Sequence, residues 1–203
     1  MKKLLGVLLV IIMAIFGFTA CTSGNSNKNE NGNETGGEET GGSGEANNPP
    51  ALGTSDILIV YFSCTNTTEA IAKHIETKTK GTLYEIVPEA PYTADDLKYY
   101  TNGRADKEQA DSNARPAING TVENMEKYDV VFLGYPIWHG EAPRIISTFL
   151  ESYDFADKTI VPFCTSHSSG IGSSDTNLHS LAPNADWVPG RRFASGTSQN
   201  TVA

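Results

Sequence analysis

Apolar residues between Asp56 and Phe193 come in two rhythms, short unbroken runs and longer stretches spaced by three and four. "DILIVYF" (56–62) is continuous and rich in β-branched residues, the mark of a strand covered on both faces. A helix is predicted from about Thr68, with Ala70, Ile71 and Ile75 on its core side. "TLYEIVPE" (82–89) predicts a second strand and "YDVVFLGY" (128–135) a third. Pro143 stands where a first helical turn accepts proline, and Ile145, Ile146, Phe149, Leu150 and Tyr153 keep the spacing of a core-facing helix. "KTIVPFCT" (158–165) predicts a fourth strand, and "ADWVPGRRF" (185–193) a fifth that Pro189 and Gly190 interrupt. Strands alternating with helices imply an α/β fold built on a parallel sheet with right-handed crossovers.

The first fifty residues follow neither rhythm. "MKKLLGVLLVIIMAIFGFTAC" places two lysines before an apolar run from Leu4 to Phe18, then small residues before Cys21. The run is about 15 residues, short of the roughly 20 that a spanning helix needs, so residues 1–21 read as a secretory signal. The pattern resembles a bacterial lipobox, in which Cys21 carries lipid; an ordinary cleaved signal with an incidental cysteine is the alternative. Residues 22–52 are mostly Gly, Asn, Glu, Ser and Thr, too polar to offset chain entropy by burial, and are expected to be a disordered tether. Residues 53–203 suit one domain with one core. The implied place is outside the cytoplasm, on a membrane, through a lipid anchor.

Charge narrows the partners. The chain of 203 residues carries a net −9. From Ala51 onward, 12 Lys and Arg stand against 19 Asp and Glu, a net of −7. Nucleic acid is not an expected partner for such a surface. Of three cysteines, Cys64 and Cys164 remain beside Cys21, too few for a disulfide framework. Histidines 74, 139, 167 and 179 lack metal-ligand spacing, so no metal site is expected.

Candidate chemistry gathers at one edge. In parallel sheets ligands bind beyond the carboxyl ends of the strands, where the strand order reverses. The three strands expected at the centre end in "SCTNTT", "GYPIWHG" and "CTSHSSGIG". Ser63, Thr65, Thr67 and Thr68 cluster with no Lys or Arg. A helix N-terminus with hydroxyls beside it can hold a phosphate without a cation, whereas a nucleotide triphosphate loop needs a Lys. Helix capping by Thr65 or Thr67 is the structural alternative. Cys64 at a helix start also raises a phosphatase or arsenate-reductase reading, but the loop Arg such enzymes use is absent, with Ile at position 71.

"VYFSCTNTTEAIAKHI", "VVFLGYPIWHGEAPRIISTFLESYDF" and "TIVPFCTSHSSGIGSS" resemble the FMN-binding segments of the flavodoxin-like family, in the branch often found in bacterial lipoproteins. The resemblance runs from about Asp56 to Phe193. It implies a doubly wound sandwich with a five-stranded parallel sheet in the order 2-1-3-4-5 and FMN as cofactor. Ser63, Thr65, Asn66, Thr67 and Thr68 then fall where the family binds phosphate. Pro136, Ile137, Trp138, His139 and Gly140 fall where it holds the ring and ribityl chain, and Thr165, Ser169, Gly170 and Gly172 at the ring's far edge. Asn66 replaces a usual Gly, and Asn tolerates the left-handed backbone. His167 and Ser168 stand where small glycines are common. The short remainder after Phe193 implies a truncated or missing final helix, with Ser198 to Ala203 as its beginning.

Two further expectations follow. Residues 91–120 form a long insertion that contains a helix and either walls the site or stays clear of it. Trp138 is expected to cover the flavin, the alternative being that it packs on this insertion. The resemblance implies electron transfer, with a redox protein, a quinone or a nicotinamide as partner. An FMN-dependent NAD(P)H:quinone-type reductase and a non-redox module for phosphorylated ligands are the alternatives. No protein residue is expected to act as acid or base, because the cofactor carries the chemistry.

Overall fold

The computed structural model describes residues 57–202. The signal, Cys21 and the tether lie outside the described residues. β1 (Ile57–Tyr61) is buried along its whole length. It pairs in parallel with β2 (Thr82–Glu85) on one side and β5 (Val130–Pro136) on the other. β6 (Thr159–Thr165) continues from β5 and carries β7 (Asp186–Trp187) and β8 (Arg191–Phe193) on its outer edge, all parallel. The order β2-β1-β5-β6-β7/β8 is the expected 2-1-3-4-5 with its fifth strand in two pieces. The break falls at Pro189 and Gly190, as their chemistry requires. A Cβ on Gly190 would lie 2.5 Å from Ile171 Cδ1, and the Gly190 N–H bonds Asp175 Oδ2 at 2.9 Å.

The period of two sorts the strands onto two cores. Leu58, Val60, Val131, Leu133 and Tyr135 face one side with Ile145, Ile146, Phe149 and Leu150. Those four come from α3 (Arg144–Glu151), and each buried side chain of this kind contributes about 1.5–3 kcal/mol. Ile57, Ile59, Tyr61, Val130 and Phe132 face the other side with Ile71, Ala72 and Ile75 of α1 (Thr67–Thr79). Val202 of α4 (Gln199–Val202) joins that second core.

Several boundaries differ from the expectation. The buried face of α1 is Thr68, Ile71, Ala72 and Ile75, whereas Ala70 is exposed; counting i, i+3, i+4, i+7 from Thr68 passes over position 70. Pro143 is the residue before α3 rather than inside its first turn, with φ −58 and ψ 142. Tyr153 lies past the end of α3 and its hydroxyl accepts from the Val122 N–H at 2.7 Å. The run 82–89 is not one strand: after β2 the chain leaves the main sheet, and β3 (Val87–Pro88) pairs antiparallel with β4 (Ile118–Asn119). That ribbon closes the base of the insertion, whose helix is α2 (Arg104–Ala110). No helix among the described residues is long and apolar enough to cross a membrane.

Candidate functional site

The three loops expected at the switch point do meet. They border a cleft of about 350 Å³ beyond the carboxyl ends of β1, β5 and β6, within the range of small-ligand sites. Ser63, Thr65, Thr67, Thr68, Pro136, Ile137, Trp138, His139 and Thr165 line it. Asn66 faces an adjoining groove with His74 and Ser198. Gly140, Ser169, Gly170 and Gly172 are not among the lining residues. Among the described residues no Lys or Arg lines the cleft, and its single carboxylate is Asp106.

The first loop is built for an anion. Asn66 stands just before α1 as its N-cap, takes φ 60 and makes no side-chain cap. The alternative of helix capping by Thr65 or Thr67 does not occur: their hydroxyls bond each other at 3.2 Å. Thr68 Oγ1 turns inward to Thr165 Oγ1 at 2.8 Å. The Ser63 Oγ is buried and has no hydrogen-bond partner among the described residues. A buried hydroxyl without a partner costs free energy, and here it lies at the positive end of a 13-residue helix. An anionic oxygen satisfies both conditions at once. Burial pushes the Cys64 thiol up to about 11, against a downward pull from Arg104, the opposite of the lowered value a loop nucleophile needs. Cys64 and Cys164 are both unpaired thiols.

The second loop is a tight turn. Trp138 and Glu141 exchange both backbone hydrogen bonds at 2.9 Å, while His139 and Gly140 between them take φ 50 and φ 83. Gly140 therefore serves the turn, since consecutive positive φ values favour such residues. His139 at the tip reaches Asp106 Oδ1 through Nε2 at 2.8 Å. Burial opposes ionisation of Asp106, but hydrogen bonds from His139 and from the backbone of Tyr100, Asn102 and Thr101 hold its carboxyl below the usual range. Trp138 is only 8% exposed. Its indole packs edge-on against Phe62 and Tyr92, with centroids at 5.5 and 5.2 Å. It borders the cleft, where a cover for the flavin would stand, and it also packs on Tyr92 of the insertion, the contact the alternative called for.

The insertion walls the site. Leu97, Tyr99, Ala105 and Asp106 all line the cleft, so the solvated-excursion alternative fails. α2 also holds the second loop through buried Gln109, whose Nε2 donates to the carbonyls of Trp138 and Ala142 at 3.2 Å. The advance signal for this wall was the length of the insertion. In the third loop Arg192 donates to Ser166 Oγ at 3.0 Å and to the carbonyls of Ser166 and His167 at 2.9 and 3.0 Å. Ser166 and His167, not the later glycines, thereby form that border of the cleft. Among the described residues no group of His, Cys, Asp and Glu could hold a metal ion.

A family model described as flavodoxin matches residues 56–203. A candidate flavoprotein from Bacteroides eggerthii is 44% identical over 73% of this chain and 93% of its own, with a TM-score of 0.69. One from Bacteroides uniformis is 42% identical over 73% and 95%, with a TM-score of 0.70. A flavoprotein from Lactobacillus acidophilus, solved in complex with FMN, shares the fold at 23% identity and a TM-score of 0.56, covering 68% of this chain and 93% of its own. No curated protein matches the chain.

Proposed function

Because the chain belongs to the flavodoxin family, we propose that it binds FMN in this cleft and transfers electrons between partners at the extracytoplasmic surface of a membrane. The observation that carries the reading is the partnerless Ser63 Oγ beside the uncapped start of α1. Ser63, Thr65 and Thr67, with the first N–H groups of α1, would hold the phosphate. The turn from Trp138 to Glu141, the Ser166 and His167 border and the insertion would hold the rest. Bound there, the isoalloxazine supplies one- and two-electron chemistry. The protein binds, orients and shields; its own acid or base is not required. The absence of cations from the lining disfavours accumulation of negative charge in the cleft, and a low potential for full reduction is the expected consequence. The signal, Cys21 and the polar tether support the membrane location, as a lipid anchor at the end of a flexible spacer.

The test compares FMN with riboflavin, which lacks the phosphate, on the wild-type chain and on Ser63→Ala. Loss of a hydrogen bond to a charged group corresponds to about 1.5–3 kcal/mol, so FMN should bind roughly ten- to a hundredfold more weakly. Riboflavin affinity should be unchanged. Equal losses for both ligands, or no binding of FMN by the wild type, would overturn the reading.

A further inference from the structure

Tyr99 and Tyr100 are 49% and 89% exposed, and with Val87 they are the only exposed large hydrophobic residues among those described. They stand side by side, adjacent in the chain. Tyr99 lines the cleft and Tyr100 does not. His139 completes the group, with ring centroids 4.9 Å from Tyr99 and 5.4 Å from Tyr100, while the two tyrosine rings are 6.1 Å apart. The shelf is held in place from beneath. Tyr99 donates its hydroxyl proton to the Ile137 carbonyl at 3.3 Å, and Asp106 Oδ2 accepts from the backbone of Thr101 and Asn102 at 2.8 and 2.9 Å. Tyr100 takes φ 60, an unfavourable backbone for a bulky residue. This conformation turns an aromatic ring outward beside a cleft when a polar residue there would cost less.

We propose that Tyr99, Tyr100 and His139 form a second subsite, continuous with the cleft, that takes a neutral planar aromatic redox partner of the quinone class. This deepens the FMN reading by naming the kind of molecule that approaches the site. Charge separates the candidates. A dinucleotide brings a pyrophosphate with two further negative charges; once the FMN phosphate takes the start of α1, the described cleft lining offers it no Lys or Arg. Asp106 beside the shelf has its carboxyl held below the usual range by the hydrogen bonds it accepts, and Asp95 pairs with Lys98 at 2.6 Å. Of the cations of α2, Arg104 is paired with Glu108 at 2.7 Å and Lys107 is exposed. A neutral ring system meets none of this repulsion, and it gains stacking area on side chains that are already ordered.

The experiment is calorimetric titration of the full-length chain, first loaded with FMN, with 2-methyl-1,4-naphthoquinone and with NADH, in wild type, Tyr100→Ala and Tyr100→Phe. Tyr100 is a surface residue, so these variants leave the fold intact. The quinone should bind more tightly than NADH. Tyr100→Ala should weaken it roughly three- to tenfold, in keeping with one lost aromatic contact, and Tyr100→Phe should restore it. An unchanged quinone affinity in Tyr100→Ala, no quinone binding at all, or tighter binding of NADH would each overturn the proposal. If FMN fails to load, the functional reading fails separately. The shelf is then scored by the same Tyr100 variants on the unloaded chain, because Tyr100 lies outside the cleft.

Discussion

Thr68 Oγ1 and Thr165 Oγ1, 97 residues apart in sequence, lie 2.8 Å from each other in a buried contact that ties the start of α1 to the end of β6. Both side chains border the cleft, so the bond fixes the distance between the first and third loops. Thr68→Val keeps the shape but strands the Thr165 hydroxyl, which should cost about 1–3 kcal/mol. Adding Thr165→Val should recover part of that loss, because neither polar group then remains unpaired. Urea unfolding of the two single variants and the double variant measures this coupling. Strictly additive losses would show that the hydroxyls do not depend on each other.

Trp138 is a structural residue as well as a wall of the cleft. Its contacts with Phe62 and Tyr92 predict that Trp138→Ala lowers stability by about 3–5 kcal/mol, the range for emptying a buried aromatic site. Thermal unfolding without ligand checks this. A loss under about 1 kcal/mol would mean that the indole is held by ligand rather than by the protein.

The main sheet could be read from residue pattern because buried parallel strands have to be continuously apolar, and β1, β5 and β6 are. Pro189 and Gly190 likewise announced the broken fifth strand, one lacking a donor and the other lacking a side chain. What the pattern did not contain was partner choice. "TLYEIVPE" looks like one strand because Ile86 and Val87 are both β-formers, yet the chain changes sheets between them. The site shows the same division. Strand ends gave the first two loops and Thr165. The placement of Ser166 and His167 depends on Arg192, and that of Trp138 on Tyr92, contacts that no local spacing encodes.

Gln109 is the strongest case of such a contact. Beyond its two donations to the second loop, its Oε1 accepts from the Arg144 N–H at 3.0 Å. Gln109→Met, close in volume, should destabilise the domain by roughly 1–3 kcal/mol, because the freed backbone groups are buried. Hydrogen exchange at the Arg144 amide should quicken by more than the global loss explains. If exchange follows global stability alone, the loop is held by packing and Gln109 is one contact among many.

The proposed membrane location rests on residue 21. Under that proposal Cys21→Ser removes the acceptor for lipid, so the variant should leave the membrane fraction while still binding FMN. A variant that still sediments with membranes would identify the apolar run from Leu4 to Phe18 as the anchor itself.

Cys64 offers the sharpest test of what the first loop is for. Catalytic loop cysteines react because their thiols ionise easily, whereas burial raises this one to about 11. A raised value means that the neutral thiol persists as pH climbs past the point where an ordinary cysteine, at about 8.5, has already ionised. At pH 8 the thiolate fraction of Cys64, and its alkylation by iodoacetamide, should therefore be roughly a hundredfold below that of an unfolded-chain cysteine. The rate should keep rising about tenfold per pH unit up to about pH 11, where that of an ordinary cysteine has already levelled off. Mass spectrometry of the labelled Cys64 peptide, followed against pH, reads both features. Labelling at pH 7 as fast as a free thiol would return a nucleophile to the loop and, with it, a phosphoryl-transfer reading that the absence of a loop arginine otherwise disfavours.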